Sequence, residues 1–584
     1  MINPNGAFAE VLITDEGSGV NEDWNCVWNI KTKITDKGWF AEIAIPFSSL
    51  KFSNQSEQIW GINLERNIRR KNEQVLWQGW SRDYSLKKIS QAGKLIGLKD
   101  IAGKKLYKIK PYITGGFEKE TDEKLKYVKR IGGDFNYLVS PTMKLNFTLN
   151  TDFSQVESDK VQINLSRFSI SYPEKRDFFL EGKDIFEFNV GSNSETFYTR
   201  RIGIHERKEV PIIGGARLTG KANKTNIGLL SIQTAQKDTL PTTNYSVIRL
   251  KQDVLGQSNI GMIVTAKNSN EHYNYVYGMD ANYVTSRIFG DKNLKVGGAI
   301  SQSITGNESN TNNFGYDAYL SFPNDFMEFD LSAETIQKDF NPEIGFLRRK
   351  NYTRYASELQ LNPRPGFIPW INQMEIKPFE LSYYLTEDKK KMESLFWEGR
   401  PLGFELKSGD FFEFNIQRTF DRLDESFEII DDVYIPSGDY WYNQYEIQFE
   451  SYGGRDFSME ADWNWGNFYT GKRNQLEFYV DWNLNKHVNI SADWERNSIR
   501  LTNARFITDE VGGRIEYEFS SKLYISLFGQ WNNEDDEIIL NYRLNWLPKI
   551  GSYFYSVVNQ TYSKENNSFH LTATTILAKL LWLF

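Results

Sequence analysis

The chain has 584 residues, of which 40% are hydrophobic and 15% aromatic, with a net charge of -7, a pI of about 5.6 and a mean hydropathy of -0.54. An acidic balance with no basic block argues against nucleic acid as a partner, and the single cysteine, Cys26, excludes an intrachain disulfide. The four histidines are scattered, with no His-Glu-x-x-His pattern, so no metal, cofactor or zinc hydrolase is implied, and no stretch approaches the ~18–20 apolar residues of a membrane helix.

The start, Met1-Ile-Asn-Pro-Asn-Gly-Ala-Phe8, has neither the basic nor the apolar region of a secretory signal. A chain bound for export needs one, so the reading is that the signal peptide is missing here. Residues 1–102 read as a partial β-sandwich. Strand-like segments fall at Ala7 to Thr14, Trp24 to Ile34, Trp39 to Pro46, Trp60 to Ile68 and Val75 to Ser81, separated by turn residues such as Asp36-Lys-Gly38. Tryptophans are dense here: Trp24, Trp28, Trp39, Trp60, Trp77 and Trp80. Sugars stack on exposed rings and take orientation from flanking polar groups. Trp77 and Trp80 with Arg82 are the candidates for such a platform, against the alternative that these rings fill a core or a seam.

Residues 103–109 read as a connector, and residues 110–584 as a large antiparallel transmembrane β-barrel. Strand-like segments such as Met143 to Asn150, Pro211 to Lys221, Thr225 to Thr234, Asn274 to Val284 and Phe326 to Thr335 recur about every twenty residues. This spacing gives roughly 22–26 strands, with an even number favoured. Thr305 to Asn313 and Arg422 to Tyr440 read as outer loops, and Gly453-Gly454 and Asn485-Lys-His487 as periplasmic turns.

One segment, near 151–190, breaks the rhythm. It is dense in charge and in phenylalanine and reads as a plug folded into the lumen. Its carboxylates need partners if they are buried, so Asp152, Glu157, Asp159, Arg167, Glu174, Arg176, Glu181, Arg200 and Arg201 are expected to form a lumen network. A cation site or a glycosidase pair would require carboxylates converging on one point or flanking one bond. Density in sequence does not establish that, and no catalytic residue is assigned.

The last part of the chain carries the clearest pattern. Phe457, Met459, Ala461, Trp463 and Trp465 alternate with Asp456, Ser458, Glu460, Asp462 and Asn464, and the chain closes on Lys579-Leu-Leu-Trp-Leu-Phe584. A period of two with one apolar face means a sheet with a greasy side and a wet side. In a membrane barrel these faces meet lipid and water, so hydropathy averaged along each strand is low. The final strand ending on Phe584 is of the kind that barrel-assembly machinery reads.

Several stretches carry a family resemblance: Asn150-Thr-Asp-Phe-Ser-Gln-Val-Glu-Ser-Asp159, Ile163-Asn-Leu-Ser-Arg-Phe168, Tyr172-Pro-Glu-Lys-Arg-Asp-Phe-Phe-Leu-Glu-Gly182, Phe197-Tyr-Thr-Arg-Arg-Ile-Gly203 and Phe340-Asn-Pro-Glu-Ile-Gly-Phe346, with Gly38-Trp-Phe-Ala-Glu-Ile-Ala-Ile-Pro-Phe47 and Trp60-Gly-Ile-Asn-Leu-Glu-Arg66 near the start. In these the chain resembles the outer-membrane β-barrel family of unknown function whose N-terminal domain is similar to family 9 carbohydrate-binding modules. The resemblance implies an outer-membrane protein, surrounded by lipid, that binds or passes a carbohydrate-like ligand. The alternatives are a scaffold docking another envelope protein and, third, a glycoside hydrolase by resemblance of the N-terminal domain only.

Overall fold

A computed structural model of the chain describes residues 1–584 apart from 18, 23, 25, 27, 53–54, 69–70, 72, 80, 102–106, 153–158, 206–207, 521 and 550. The dominant feature is a closed barrel of 24 antiparallel strands, from Tyr107–Glu120 to Ser568–Leu581. The last strand returns to the first in continuous register, with Ile576 opposite Phe117 and Leu580 opposite Ile113. Phe584 extends the seam by exchanging backbone hydrogen bonds with Ile109. One strand is broken by a bulge into Ile371–Met374 and Ile376–Thr386. The connector expected at 103–109 falls partly outside the described residues, and the first barrel strand already begins at Tyr107.

Closure leaves no unpaired edge, and the alternation expected from sequence sets the faces. Trp463, Phe478, Trp482, Val511, Ile515 and Trp546 point outward and are exposed. Asp462 stands opposite Glu477, and Glu477 opposite Glu495, on the inner wall. An apolar exterior over a fully paired backbone is what a sheet needs to cross a bilayer. The connections divide by end as the sequence predicts. The tight turns at 453–454 and 485–487 lie at the end where the barrel strands start and finish. Thr305 to Asn313 and Arg422 to Tyr440 lie at the opposite, loop end.

The N-terminal residues form four separate antiparallel pairs: Leu12–Thr14 with Gly19–Asn21, Asn29–Thr35 with Gly38–Ala44, Glu57–Ile62 with Gly93–Lys99, and Glu65–Ile68 with Glu73–Leu76. The sequence suggests a partial sandwich, but among the described residues no pair is joined to another into a larger sheet. Every residue of Gly38–Ala44 is exposed, so its alternating apolar side has no second layer. The unit is instead held against the short-turn end of the barrel. Asp83 accepts from Lys292 Nζ at 2.5 Å and from the Asp325 amide at 2.9 Å, Lys88 Nζ donates to Asn293 Oδ1 at 3.0 Å, and Lys251 pairs with Asp15 at 2.6 Å.

Candidate functional site: a plugged lumen and a loop-end basin

Between the strands Met143–Thr151 and Ile212–Ala222 the chain leaves the wall and fills part of the lumen. This excursion is longer than the plug expected near 151–190 because it returns to the wall only at Ile212, opposite Thr151. Its apolar side chains make a core that is not lipid-facing. Phe179, Phe186, Phe188, Val190 and Ile202 pack on Leu230, Ile232, Val247, Ile263 and Val276 of the inner wall, with Phe340 and Ile344 closing from a loop. The wall here is therefore apolar on its inner face, which alters the uniformly polar lumen that alternation alone implies. Two glycines make room for the rings. A Cβ at Gly228 would lie 2.8 Å from the Phe186 ring, and one at Gly278 would lie 2.5 Å from that of Phe188. Each buried Phe contributes roughly 1.5–3 kcal/mol of transfer free energy, so this core is the main reason for the insert to stay inside.

Charge is paired around that core. Arg176 is 2% exposed and Glu174 9%, and they meet through two short bonds, Nε to Oε1 at 2.7 Å and Nη2 to Oε2 at 2.6 Å. Arg176 also donates to the carbonyls of Ile202 and Thr199 and lies 4.2 Å over the Phe179 ring. Burial pushes the Glu174 carboxyl up, but Arg176 and the Thr199 hydroxyl outweigh it and hold its pKa below the usual value. Glu181 is held by Lys144 and, at 2.9 Å, by Arg217 of the wall. Burial opposes the charge there too, and the two cations win, bringing the carboxyl down to about 2. Asp152, at the start of the insert, bonds Thr114 of the first strand and Arg130 at 2.9 Å, while Lys579 of the last strand donates to its carbonyl at 2.8 Å. The insert is thus tied across the seam that closes the barrel.

The network residues read from sequence fall as follows. Asp159 pairs with Arg200 and Lys175. Arg167 reaches Asp421 at 2.7 Å on the far wall. Arg201 donates Nε to the Gly345 carbonyl at 3.0 Å. Asp152, Glu174, Arg176 and Glu181 are placed as above, and Glu157 lies outside the described residues. Of the proposed sugar platform, Trp77 is half exposed and lies over Gly93, Arg82 is exposed, and Trp80 lies outside the described residues. Sequence reasoning missed the wall cations Arg217 and Arg249. The latter pairs with Asp280 and donates to the Glu187 carbonyl at 3.2 Å. Both point inward from the wall, and a buried cation demands a partner; that was the available signal.

Above the plug, at the loop end, lies a cavity of about 1210 Å³. Its floor is insert, with Tyr172, Tyr198, Arg200 and Arg201, and its rim comes from wall and loop residues such as Tyr245, Lys267, His272, Glu343 and Phe346. Tyr198 is fixed by giving its hydroxyl to the Tyr172 carbonyl at 2.6 Å and accepting the Tyr172 amide at 3.0 Å. Its ring lies 5.6 Å from that of Phe346. Glu343 is shared by Lys267 and His272, each at 2.7 Å. Burial raises its pKa, and these two partners outweigh the burial and lower it. The basin combines aromatic faces with an excess of guanidinium and ammonium groups, and its carboxylates are engaged by cations.

The profile of a family described as a domain of unknown function (DUF5916) matches residues 106–229 and 216–515. No curated protein matches. Among solved structures the chain is similar to the FrpB iron transporter from Neisseria meningitidis, at 9% identity and a TM-score of 0.39, covering 85% of this chain and 86% of that one. It is similar to the ferric yersiniabactin uptake receptor FyuA from Yersinia pestis, at 10% identity and a TM-score of 0.33, covering 85% and 82%. The copper transporter OprC matches at 9% identity and a TM-score of 0.29, covering 85% and 83%.

Proposed function

The chain belongs to the DUF5916 family and is an outer-membrane β-barrel, and from that premise we propose that it binds a carbohydrate-like ligand at its loop end and passes it into the envelope. The observation that carries this reading is the loop-end basin. At about 1210 Å³ it exceeds the ~300–1,000 Å³ of sites for single small ligands, so it fits an oligomer. Tyr172, Tyr198, Tyr245 and Phe346 offer ring faces for sugar C–H groups, and the surrounding Arg, Lys and His side chains offer hydrogen bonds to hydroxyls. Passage requires the insert to shift, and the core of the plug is the resistance to that shift.

Hydrolysis finds less support. A general acid needs a raised pKa, whereas Glu343 is lowered by its two cationic partners and Asp159 is paired with Arg200 and Lys175. A docking role has one observation in its favour, the exposed Phe40, Ile43 and Ile45 outside the barrel. Binding of an oligosaccharide panel to the full chain in detergent, beside Phe346→Ala and Tyr172→Ala, tests the first reading. Binding by the wild type that falls at least tenfold in both variants is expected. A wild type that binds no oligosaccharide contradicts it.

A further inference from the structure

Three guanidinium groups converge on one ring of the insert. The carbon centres of Arg167, Arg349 and Arg348 lie 4.9, 5.5 and 5.7 Å from the centroid of Phe168. The ring face partly offsets their mutual repulsion, and two of them have carboxylate partners: Arg167 with Asp421 and Arg349 with Glu393, both at 2.7 Å. Arg348 has no acidic partner among the described residues, and it is exposed. The cluster therefore carries one guanidinium more than its carboxylates balance. It also adjoins the basin in sequence on both sides. Gly345 accepts from Arg201, Phe346 and Leu347 line the cavity, and the chain then runs directly into Arg348 and Arg349. On the insert, Ser169 and Ile170 line the same cavity immediately after Phe168. A ligand seated in the basin need only extend past Leu347 to reach the unbalanced fork of Arg348. Guanidinium recognises planar or tetrahedral oxyanions through two parallel hydrogen bonds.

We propose that the Arg167, Arg348 and Arg349 cluster at Phe168 is a subsite for the oxyanion of an acidic saccharide, a carboxylate or sulfate ester on a sugar ring whose neighbouring rings occupy the basin. This rests on the carbohydrate reading and narrows it to a charge class. Arg348 supplies the open fork, while Arg167 and Arg349 are held in place by Asp421 and Glu393 and set the local potential.

The test is calorimetric titration of the full chain in detergent with an oligogalacturonate, with its neutral methyl ester, and with a sulfated oligosaccharide of similar length. The wild type is expected to bind the two acidic probes at least tenfold more tightly than the ester. Arg348→Gln should remove most of that preference, Arg348→Lys should restore part of it, and Lys350→Gln, an exposed neighbour, should leave it intact. If acidic and neutral probes bind alike, the acidic-ligand inference falls and the carbohydrate reading stands. If Arg348→Gln keeps the preference, the assignment to this cluster is wrong. If none of the saccharides binds, both fall.

Discussion

The two sides of the lumen wall solve the same problem in opposite ways. Along the strands from Thr225–Thr234 to Tyr273–Ile288 the inner face is apolar and glycine-notched, and the insert packs into it with its cations paired. Along the strands from Phe457–Phe468 to Arg505–Ser520 the inner face carries Asp462, Glu477, Glu495 and Glu510, each opposite the next in register. Amides link these carboxyl groups: Gln475 bonds Glu477 and Glu495, and the Ile163 amide of the insert donates to Glu510 at 2.7 Å. The first wall packs the apolar core of the insert, and the second sets carboxyl groups side by side and meets the insert through polar contacts such as Lys160 with Asp493 at 2.7 Å. An alternating strand therefore fixes which residues look inward but not what they look at.

Substitutions can sharpen that contrast. The largest effect is expected at the buried pair: Glu174→Ala leaves Arg176 without its carboxylate and should cost about 3–5 kcal/mol, read as loss of protection of the insert in limited proteolysis while the barrel strands stay intact. Gly278→Val places a side chain where the Phe188 ring lies. It should cost about 1–3 kcal/mol by overpacking, measured as a lower thermal midpoint. On the acidic wall the sign reverses. Glu477→Gln removes one of the carboxyl groups crowded opposite Asp462 and Glu495 and should stabilise by up to about 1 kcal/mol in the same assay. Destabilisation there would show that this wall relies on its charges as the other does.

The tether at Glu181 also has a defined pH response. Glu181 has a folded pKa of about 2, below its unfolded value, so its tether to Lys144 and Arg217 contributes fully above the unfolded pKa of ~4.3. That contribution declines as pH falls toward about 2. Amide exchange of the segment around Glu181 should accelerate over this window, and Glu181→Gln should remove the dependence.

Much of the fold was legible because membrane crossing forces a strict pattern. Phe457 to Trp465 could alternate only as a strand with two distinct solvents, and the closing strand could be read from its final aromatics. The separate pairs at 1–102 were not legible. Segments such as Trp39 to Pro46 alternate whether or not a second sheet covers them, since alternation reports a face and not its occupant. The insert showed itself through charge density, and its length did not, because Ile212 resumes the wall with no turn signal beyond Pro211. The basin was hidden for a further reason: Tyr172, Tyr245, His272 and Phe346 come from four distant stretches brought together only by barrel closure.

The central claim is that residues 176–190 are folded protein inside the barrel, packed on Leu230 to Val276. Hydrogen exchange of the intact chain in detergent tests it most directly. The account predicts that amides of 179–188 exchange far more slowly than those of the Thr305 to Asn313 loop, and that Gly278→Val speeds them without affecting the Phe457–Phe468 strand. Exchange of 179–188 as fast as that loop in the wild-type chain would contradict it.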